Sequence, residues 1–394
     1  MELSIGVQAL VAELKLASTV FDDQGFDLVR YEAGDGTLSF SASGSSLWLN
    51  SACEADVLST GTAVARVRRP LSYLELLPAD KTLRLKYENG DTHMRMRVVD
   101  ATPAAQTPTL QAEAFKLPQG LFGADLEPDA SQPQAAGVRW SLPAEPLLEA
   151  IRRTFMCVAS EGTRYTVPGG QLVMTPEKVG MVSTDGHRLS RYFREAAVEG
   201  PAGGHVSVIG RQALASLTGI LSAAAAAEGP TPPVTVAALG NDRIFFECGP
   251  RRLACQQVEG KFPDHQRVMP DEFQANFEVN RLEFYRVLRR VALFAEKRTP
   301  AVRFDLDDGR LTMTPHIGNG QLADTSKESV KVDFGGEPAA VGLNAKYVLE
   351  FLEQARSPQV LMSLNHPPRG SVQLQETGLP KDTDYRYLIM PIRL

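Results

Sequence analysis

The chain alternates between stretches with a helical apolar period and short runs with the apolar–polar alternation of β-strands. Within 143–159, Leu147, Ile151 and Phe155 are spaced four residues apart, which indicates a helix with one buried stripe. The same pattern predicts further helices, which occur in pairs along the chain. The pairs are 6–20 with 68–77, 143–159 with 210–227, and 280–297 with 344–354.

Short alternating or apolar runs lie between the predicted helices, and turn residues separate them. Asn89-Gly90 and Asp307-Asp308-Gly309 are typical of antiparallel hairpins. Helices and strands do not alternate strictly, as the βαβ units of a parallel sheet require. The pattern therefore predicts an α+β fold with antiparallel sheets, whose strands include 37–40, 83–87, 94–98, 180–183, 243–248 and 302–306.

The helix pairs divide the chain into three parts of similar size. A stretch rich in Pro, Ala and Gln at 101–136 predicts a connection between the first and second parts, and the second boundary falls near 269–271. We therefore predict three domains, 1–138, 139–270 and 271–394. Each is close to the common domain size of ~100–150 residues.

Composition is that of a folded soluble protein, with 43% hydrophobic and 22% charged residues among 394. No stretch approaches the ~20 apolar residues that a membrane span needs, and the first residues lack the basic region of a secretory signal. The four cysteines include no Cys-x-x-Cys pair. We expect a cytoplasmic protein with reduced cysteines, including Cys248 and Cys255, which flank a predicted hairpin turn.

Basic residues are concentrated on the predicted helices, although the net charge of the chain is −6. In 280–297 they fall on one side of the helix, with Leu288, Val291 and Phe294 roughly opposite. A solvated face explains one such helix, but basic residues on most of the helices favour a shared surface that faces phosphate groups. The candidates are Arg68, Arg69, Arg152, Arg153, Arg211, Arg286, Arg289, Arg290 and Lys297.

Segment 184–189 (Thr-Asp-Gly-His-Arg-Leu) places an aspartate and a histidine close together. Asp-Gly is first a turn signal, and no nucleophile elbow, phosphate loop or His-Glu-x-x-His motif accompanies it. A hydrolase that uses His187 and Asp185 is therefore a minor hypothesis, and His187, His265 and His366 lack the spacing of zinc ligands. The segment is otherwise a turn packed by an arginine and a leucine, or a turn that borders a binding groove.

Two apolar segments contain proline, Phe262-Pro263-Asp264 and Met390-Pro391-Ile392. Proline stiffens extended backbone at sheet edges. Such segments either pack as ordinary loops or form an apolar groove that docks a peptide.

Together these motifs resemble the family of bacterial DNA sliding clamps, the beta subunits of DNA polymerase III. The resemblance rests on the order and spacing of Thr-Asp-Gly-His-Arg-Leu at 184–189, Phe-Pro-Asp-x-x-Arg-Val-x-Pro at 262–270 and Met-Pro-x-Arg-Leu at 390–394, preceded by the pair Arg164-Tyr165. It is strong over the last two-thirds of the chain and weaker over the first third.

The resemblance implies three tandem clamp-type domains, each with two helices backed by antiparallel sheets, and two protomers closed head-to-tail into a ring. It implies a protein without catalytic activity, cofactor or metal that encircles duplex DNA of any sequence and tethers replicative and repair polymerases. The inner helices and Tyr165 would face the DNA, and Leu293 and Phe294 would lie in the dimer interface.

The resemblance also implies a pocket between the second and third domains for linear peptides, typically similar to Gln-Leu-x-Leu-Phe. The peptides would come from the DNA polymerase III catalytic subunit, the clamp loader, other polymerases and repair proteins. Apolar side chains, including the adaptable Met390, would take the leucine and phenylalanine of the peptide. The implied pocket residues are Arg164, Val167, Thr184, Gly186, His187, Arg188, Leu189, Pro263, Arg267, Val268, Ser371, Leu388, Ile389, Met390, Pro391, Ile392, Arg393 and Leu394.

Two segments depart from the family pattern. Segment 21–27 is acidic where the family carries a basic residue near DNA, and 166–169 (Thr-Val-Pro-Gly) replaces the family's Tyr-x-Asn-Gly. The acidic segment alone suggests an alternative, a clamp paralogue that binds peptides as a scaffold, without being loaded on DNA as a ring. Retention on closed circular DNA, with release after linearisation, separates the two hypotheses.

Overall fold

The computed structural model describes residues 1–21, 27–99, 109–115, 138–162, 166–239, 242–270, 272–316, 325–365 and 370–393. The chain groups into two compact units, Met1–Leu148 with Ala196–Glu259, and Glu149–Glu195 with Gly260–Leu394. The middle third of the chain contributes strands to both units. The division into three domains therefore stays a prediction.

The predicted helix pairs are confirmed in the described part of the chain, with ends shifted by a few residues. The side chains of Asn280 and Asn344 accept hydrogen bonds from the N–H groups of Glu283 and Lys346, and so cap the last two helices. The α-helices are α1 Val7–Ser18, α2 Arg68–Leu74, α3 Ala144–Thr154, α4 Arg211–Ala226, α5 Arg281–Ala292 and α6 Ala345–Gln354; short 3₁₀ helices span Phe155–Cys157 and His265–Val268.

The strands pair antiparallel, as predicted. The first part of the chain holds β1 Glu2–Gly6, β2 Leu28–Gly34, β3 Thr37–Ser43, β4 Leu47–Glu54, β5 Asp56–Ser59, β6 Gly61–Arg66, β7 Thr82–Lys86, β8 His93–Val98, β9 Thr109–Glu113 and β10 Arg139–Leu142. The middle holds β11 Gly169–Thr175, β12 Lys178–Thr184, β13 Arg188–Glu195, β14 His205–Gly210, β15 Val234–Leu239, β16 Arg243–Cys248 and β17 Arg251–Gln256. The last part holds β18 Ala275–Asn280, β19 Ala301–Asp307, β20 Arg310–Pro315, β21 Glu328–Lys331, β22 Ala339–Asn344, β23 Gln359–Leu364, β24 Val372–Glu376 and β25 Thr383–Ile389.

In the first unit, an eight-stranded sheet of order β10-β15-β16-β17-β4-β3-β2-β6 joins distant parts of the chain, with Leu253 of β17 opposite Leu49 of β4. A five-stranded sheet has the order β5-β1-β7-β8-β9. β9 corrects the sequence analysis, because it lies within the stretch predicted to be a connection. Helix α1 packs on β3 and β4 and approaches α4 closely, since a Cβ atom at Gly219 would lie 2.8 Å from Leu16 Cδ2.

In the second unit, strands of the middle third pair with strands of the last third. The order within the unit is β11-β12-β13-β25-β24-β23-β18, and Leu189 of β13 lies opposite Leu388 of β25. A four-stranded sheet has the order β21-β20-β19-β22. Helices α5 and α6 pack on each other, and the fully buried Phe284 and Phe304 meet edge to face at 6.2 Å between ring centroids. The apolar stripe predicted for α5 thus forms part of a core.

The predicted turns and cysteine state agree with the structure. Asp308 and Gly309 have φ angles of 43° and 67°, which are both left-handed and match a two-residue hairpin turn between β19 and β20. Cys248 and Cys255 are both free and buried. Among the described residues, no helix is both long and apolar enough to cross a membrane.

Candidate functional site

Segment 184–189 forms the tight turn between β12 and β13. The Thr184 hydroxyl donates to the carbonyl of Arg188 (2.8 Å) and accepts from the N–H of Gly186 (3.1 Å). The Asp185 carboxylate accepts from the N–H groups of His187 and Arg188, each at 3.0 Å. Gly186 has a φ of 85°, a left-handed conformation that glycine adopts without strain. The segment is therefore fixed by its own side chains.

The same contacts weigh against a catalytic Asp–His pair. Asp185 is occupied by backbone N–H groups and by the Nε of Arg188 at 2.9 Å. Within the described ranges, the exposed His187 side chain has no hydrogen-bond partner. Asp185 therefore shapes the turn and does not orient the His187 ring.

The C-terminal tail runs beside this turn. Arg188 pairs with Ile389 in the β13–β25 ladder, and the Met390 N–H donates to the His187 carbonyl at 2.8 Å. The Ile392 N–H donates to the Gly342 carbonyl, also at 2.8 Å, which ties the tail to β22. Leu388 and Ile389 are buried, whereas Met390 is 38% exposed. The tail thus presents an apolar side chain from a fixed backbone.

Segment 262–268 lies near the same turn. Gly260, two residues before the segment, is close to Val167, because a Cβ atom at Gly260 would lie 3.6 Å from Val167 Cγ2. The Asp264 carboxylate caps the short helix at the Gln266 N–H (3.3 Å) and pairs with the exposed Arg267 at 3.0 Å. Burial and the charge of Arg191, a residue of β13, lower the pKa of His265. Val268, the last residue of this helix, is exposed.

Ser371 lies beside the tail, because the next residue, Val372, pairs with Ile389. Its hydroxyl is buried and has no hydrogen-bond partner within the described residues. A Cβ atom at Gly186 would lie 3.3 Å from Thr166 Cγ2, which places the 166–169 departure against the turn. We call 184–189, 262–268 and 388–393 together the turn–tail surface. Arg164, Tyr165 and Leu394 lie outside the described residues.

Arg188 differs from its neighbours because its side chain is only 8% exposed. It donates to the carboxylate of Glu350, the carbonyl of Met156 and the hydroxyl of Tyr387, and its guanidinium lies 4.2 Å from the ring centroid of Tyr347. Sequence reasoning missed these partners. The sequence did contain one indication of a shared partner, since Tyr347 and Glu350 are three residues apart and therefore lie on one face of a helix.

Most of the predicted basic surface is exposed, but Arg153 is a correction. Its side chain is buried and donates to Glu149 (2.7 Å), Glu376 and the carbonyl of Gln354 (3.1 Å). The prediction that Arg153 faces DNA is therefore wrong, because the next residue along a helix points about 100° away from an exposed Arg152. The other basic candidates are exposed (Arg68, Arg69, Arg152, Arg286, Arg289, Arg290 and Lys297) or half-buried (Arg211).

The end of α5 differs from the predicted helix. The helix stops at Ala292, so Lys297 does not share its basic face. Leu293 and Phe294 follow the helix directly; Leu293 is 80% exposed and Phe294 is half-buried, so Phe294 does not continue the buried stripe. Arg290 pairs with Glu328. The uninterrupted basic face of α5 is therefore shorter than predicted.

The structure also changes the interpretation of the acidic segment 21–27. Residues 22–26 lie outside the described residues, and Asp27 is buried. The Asp27 carboxylate pairs with Arg66 at 2.9 Å and accepts from the Arg68 N–H at 3.0 Å, at the start of α2. This carboxylate therefore serves the fold rather than a surface.

Comparison with known proteins identifies the family. Residues 141–264 match the central domain, and 266–393 the C-terminal domain, of the DNA polymerase III beta subunit. The beta sliding clamp of Synechococcus elongatus is 25% identical over 381 residues, 93% of this chain and 91% of that protein. The beta sliding clamp of Treponema pallidum is 23% identical over 98% of both chains.

Solved structures show the same fold over the whole chain. The DNA polymerase III beta subunit of Pseudomonas aeruginosa has a TM-score of 0.78 at 21% identity and covers 100% of both chains. That of Thermotoga maritima has a TM-score of 0.81 at 17% identity, covering 100% of this chain and 99% of that one. The two relatives are named beta sliding clamps, and this chain aligns with them over nearly their full length. These matches do not favour the paralogue hypothesis. The chain belongs to the family of DNA polymerase III beta subunits, the bacterial DNA sliding clamps.

Proposed function

We propose that this sliding clamp closes as a head-to-tail dimer around duplex DNA and holds polymerases and other replication and repair proteins at its turn–tail surface. The observation that supports peptide docking is the fixed, apolar tail. Two backbone hydrogen bonds, from Met390 to His187 and from Ile392 to Gly342, hold its backbone while Met390 stays 38% exposed. A surface that is already ordered costs a peptide little entropy on binding.

The chemistry of this surface suits a short peptide with leucine and phenylalanine anchors. Met390 and Val268 offer exposed apolar contact, and methionine adapts to different partners. The polar turn and the exposed Arg267 and Arg393 lie around the apolar part and can orient the peptide backbone. We infer that the partners share an apolar motif rather than an acidic one.

The interaction with DNA would be topological and independent of sequence. Arg286 and Arg289 of α5 and Arg152 of α3 are exposed on helices, in a chain whose net charge is −6. Local positive charge attracts phosphate groups, while the ring prevents dissociation without a tight contact. The protein would act without catalysing a reaction. We further propose that the chain folds as three clamp domains, 1–138, 139–270 and 271–394.

The peptide site is tested by titrating a fluorescent peptide that contains Gln-Leu-Ser-Leu-Phe. Met390→Ala should weaken binding about fivefold to tenfold, because losing the apolar contact of roughly two methylene groups costs ~1–1.5 kcal/mol. Leu282→Ala is the matched control, since Leu282 is an exposed apolar residue on α5, and it should bind like the parent. Equal peptide affinities for the parent and Met390→Ala would show that Met390 is not part of the peptide site.

The ring is tested by light scattering across micromolar concentrations and by retention on DNA. We expect a dimer of the 42.9 kDa chain, retention on closed circular DNA after loading, and release after linearisation. Leu293→Asp should shift the dimer toward monomer if Leu293 lies in the interface, whereas Leu282→Asp should not. If the parent protein were a monomer at every concentration, the ring would be rejected and the paralogue hypothesis would be favoured.

A further inference from the structure

The turn–tail surface contains one buried cation, Arg188, although the turn beside it is exposed. A guanidinium has five N–H donors. Its Nε bonds to Asp185 at 2.9 Å, Nη1 to Glu350 and to the Tyr387 hydroxyl (3.3 Å), and Nη2 to the Met156 carbonyl. These contacts leave little capacity for a ligand. Arg188 therefore borders the peptide site through its backbone, while its side chain points into the protein.

Helix α6 supplies the contacts that hold this guanidinium from two sides. Tyr347 and Glu350 stand one turn apart, so both face Arg188. The ring of Tyr347 lies 4.2 Å from the guanidinium carbon, and the Glu350 carboxylate binds Nη1. The Tyr387 hydroxyl completes the network, because it donates to the Tyr347 carbonyl at 3.0 Å.

This network connects two segments of the turn–tail surface, the turn at 184–189 and the tail at 388–393. Arg188 closes the turn through Asp185. Tyr387 belongs to β25, which continues into Met390, and Met390 bonds back to His187 of the turn at 2.8 Å. A displacement of the guanidinium therefore moves the turn and the tail together. We propose that Glu350 of α6 is a positioning residue of the peptide site, which acts through Arg188 without touching the peptide.

The proposal rests on the peptide-binding function proposed above. Its physical basis is that a buried cation needs charged or polar partners. With Glu350 replaced by glutamine, Nη1 keeps a neutral acceptor but loses the charge, and the guanidinium gains by moving toward water. The turn then samples positions in which Met390 no longer faces the bound leucine or phenylalanine. The rigidity of the empty site is lost, and bound peptide dissociates faster.

The test is a titration of the full-length protein with the fluorescent Gln-Leu-Ser-Leu-Phe peptide, combined with stopped-flow dissociation. Glu350→Gln should weaken binding about fivefold to tenfold, since a hydrogen bond to a charged group is worth roughly 1 kcal/mol more than a neutral one. Glu353→Gln is the matched control on the same helix, because Glu353 bonds to Tyr285 at 2.6 Å rather than to Arg188. Glu350→Asp, which restores the charge, should recover part of the affinity.

A double-mutant cycle tests whether Glu350 acts through Arg188. If Glu350 acts through Arg188, Glu350→Gln should cause no further loss in an Arg188→Ala background. Losses that multiply would overturn the proposal, as would Glu350→Gln binding like the parent while Met390→Ala binds weakly. Failure of the parent to bind the peptide would instead reject the proposed function itself.

Discussion

Arg153→Ala should strongly destabilise the second unit, whereas Arg152→Ala, one residue earlier on α3, should not. The Arg153 side chain is 6% exposed, and its guanidinium bonds to Glu149 at 2.7 Å and to Glu376. It also lies 5.3 Å from the ring centroid of Tyr385. Its removal leaves the almost fully buried Glu376 without a cationic partner, where water cannot replace the lost contacts.

The size of the destabilisation depends on which hydrogen bonds Glu376 keeps in Arg153→Ala. Removing one partner of a buried ion pair costs about 3–5 kcal/mol. The Glu376 carboxylate still accepts from the N–H groups of Arg356 (2.7 Å) and Ser357 (3.0 Å), and these bonds limit the loss. We therefore expect about 3 kcal/mol, which lowers the melting temperature of a unit of this size by about 6–12 °C.

Thermal unfolding followed by circular dichroism, with the parent and Arg152→Ala scanned in parallel, measures the difference. Arg152→Ala should melt within about 2 °C of the parent, because exposed substitutions change stability by less than ~0.5 kcal/mol. If Arg153→Ala also melted within that range, the buried ion-pair network would not carry the stability assigned to it. Weaker DNA retention by a normally melting Arg153→Ala would restore its predicted place on the DNA-facing surface.

Three further outcomes are expected. Gly186→Ala should lower stability by about 1–2 kcal/mol and weaken peptide binding, because its φ of 85° strains an alanine; Gly203→Ala, with open space and ordinary backbone, should change neither. Burial raises the pKa of the Cys255 thiol to about 12 from an ordinary 9, so its contribution to stability is complete below pH 9 and is lost as pH rises toward 12. The free energy of unfolding from urea titrations should therefore fall more steeply between pH 9 and 11 for the parent than for Cys255→Ala, and parallel slopes would contradict this assignment. Arg286→Ala combined with Arg289→Ala should reduce the slope of log affinity against log salt, measured with short duplex DNA, by about 2, and an unchanged slope would place both side chains away from phosphate.

The features predicted well from sequence depend on local spacing. Leu288 and Val291 are buried because the helical period alone sets which face of α5 is apolar. Asp308-Gly309 adopts a hairpin turn because few residues tolerate its backbone angles. The 184–189 turn was located for a similar reason, since Asp185 and Gly186 determine its geometry within a few residues.

The features missed depend on residues far apart in the chain. Arg152 and Arg153 are indistinguishable by type, and only the packing of Glu376, 223 residues after Arg153, decides which one is buried. The role of Arg188 likewise depends on Glu350, which is 162 residues away. Strand β9 was missed because its weak alternation lies within a stretch of turn-forming composition. Local patterns carry no information on such partners.

The pairing of β13 with β25 has a consequence for biosynthesis. Arg188 and Tyr387, which meet in this part of the sheet, are 199 residues apart, and β25 lies between β13 and β24. At a synthesis rate of ~5–20 residues per second, β25 leaves the ribosome about 10–40 s after β13. During that interval the nascent chain carries an unpaired strand edge, which can template association with other chains. This sheet, and the surface it supports, can therefore be completed only after β25 has been synthesised.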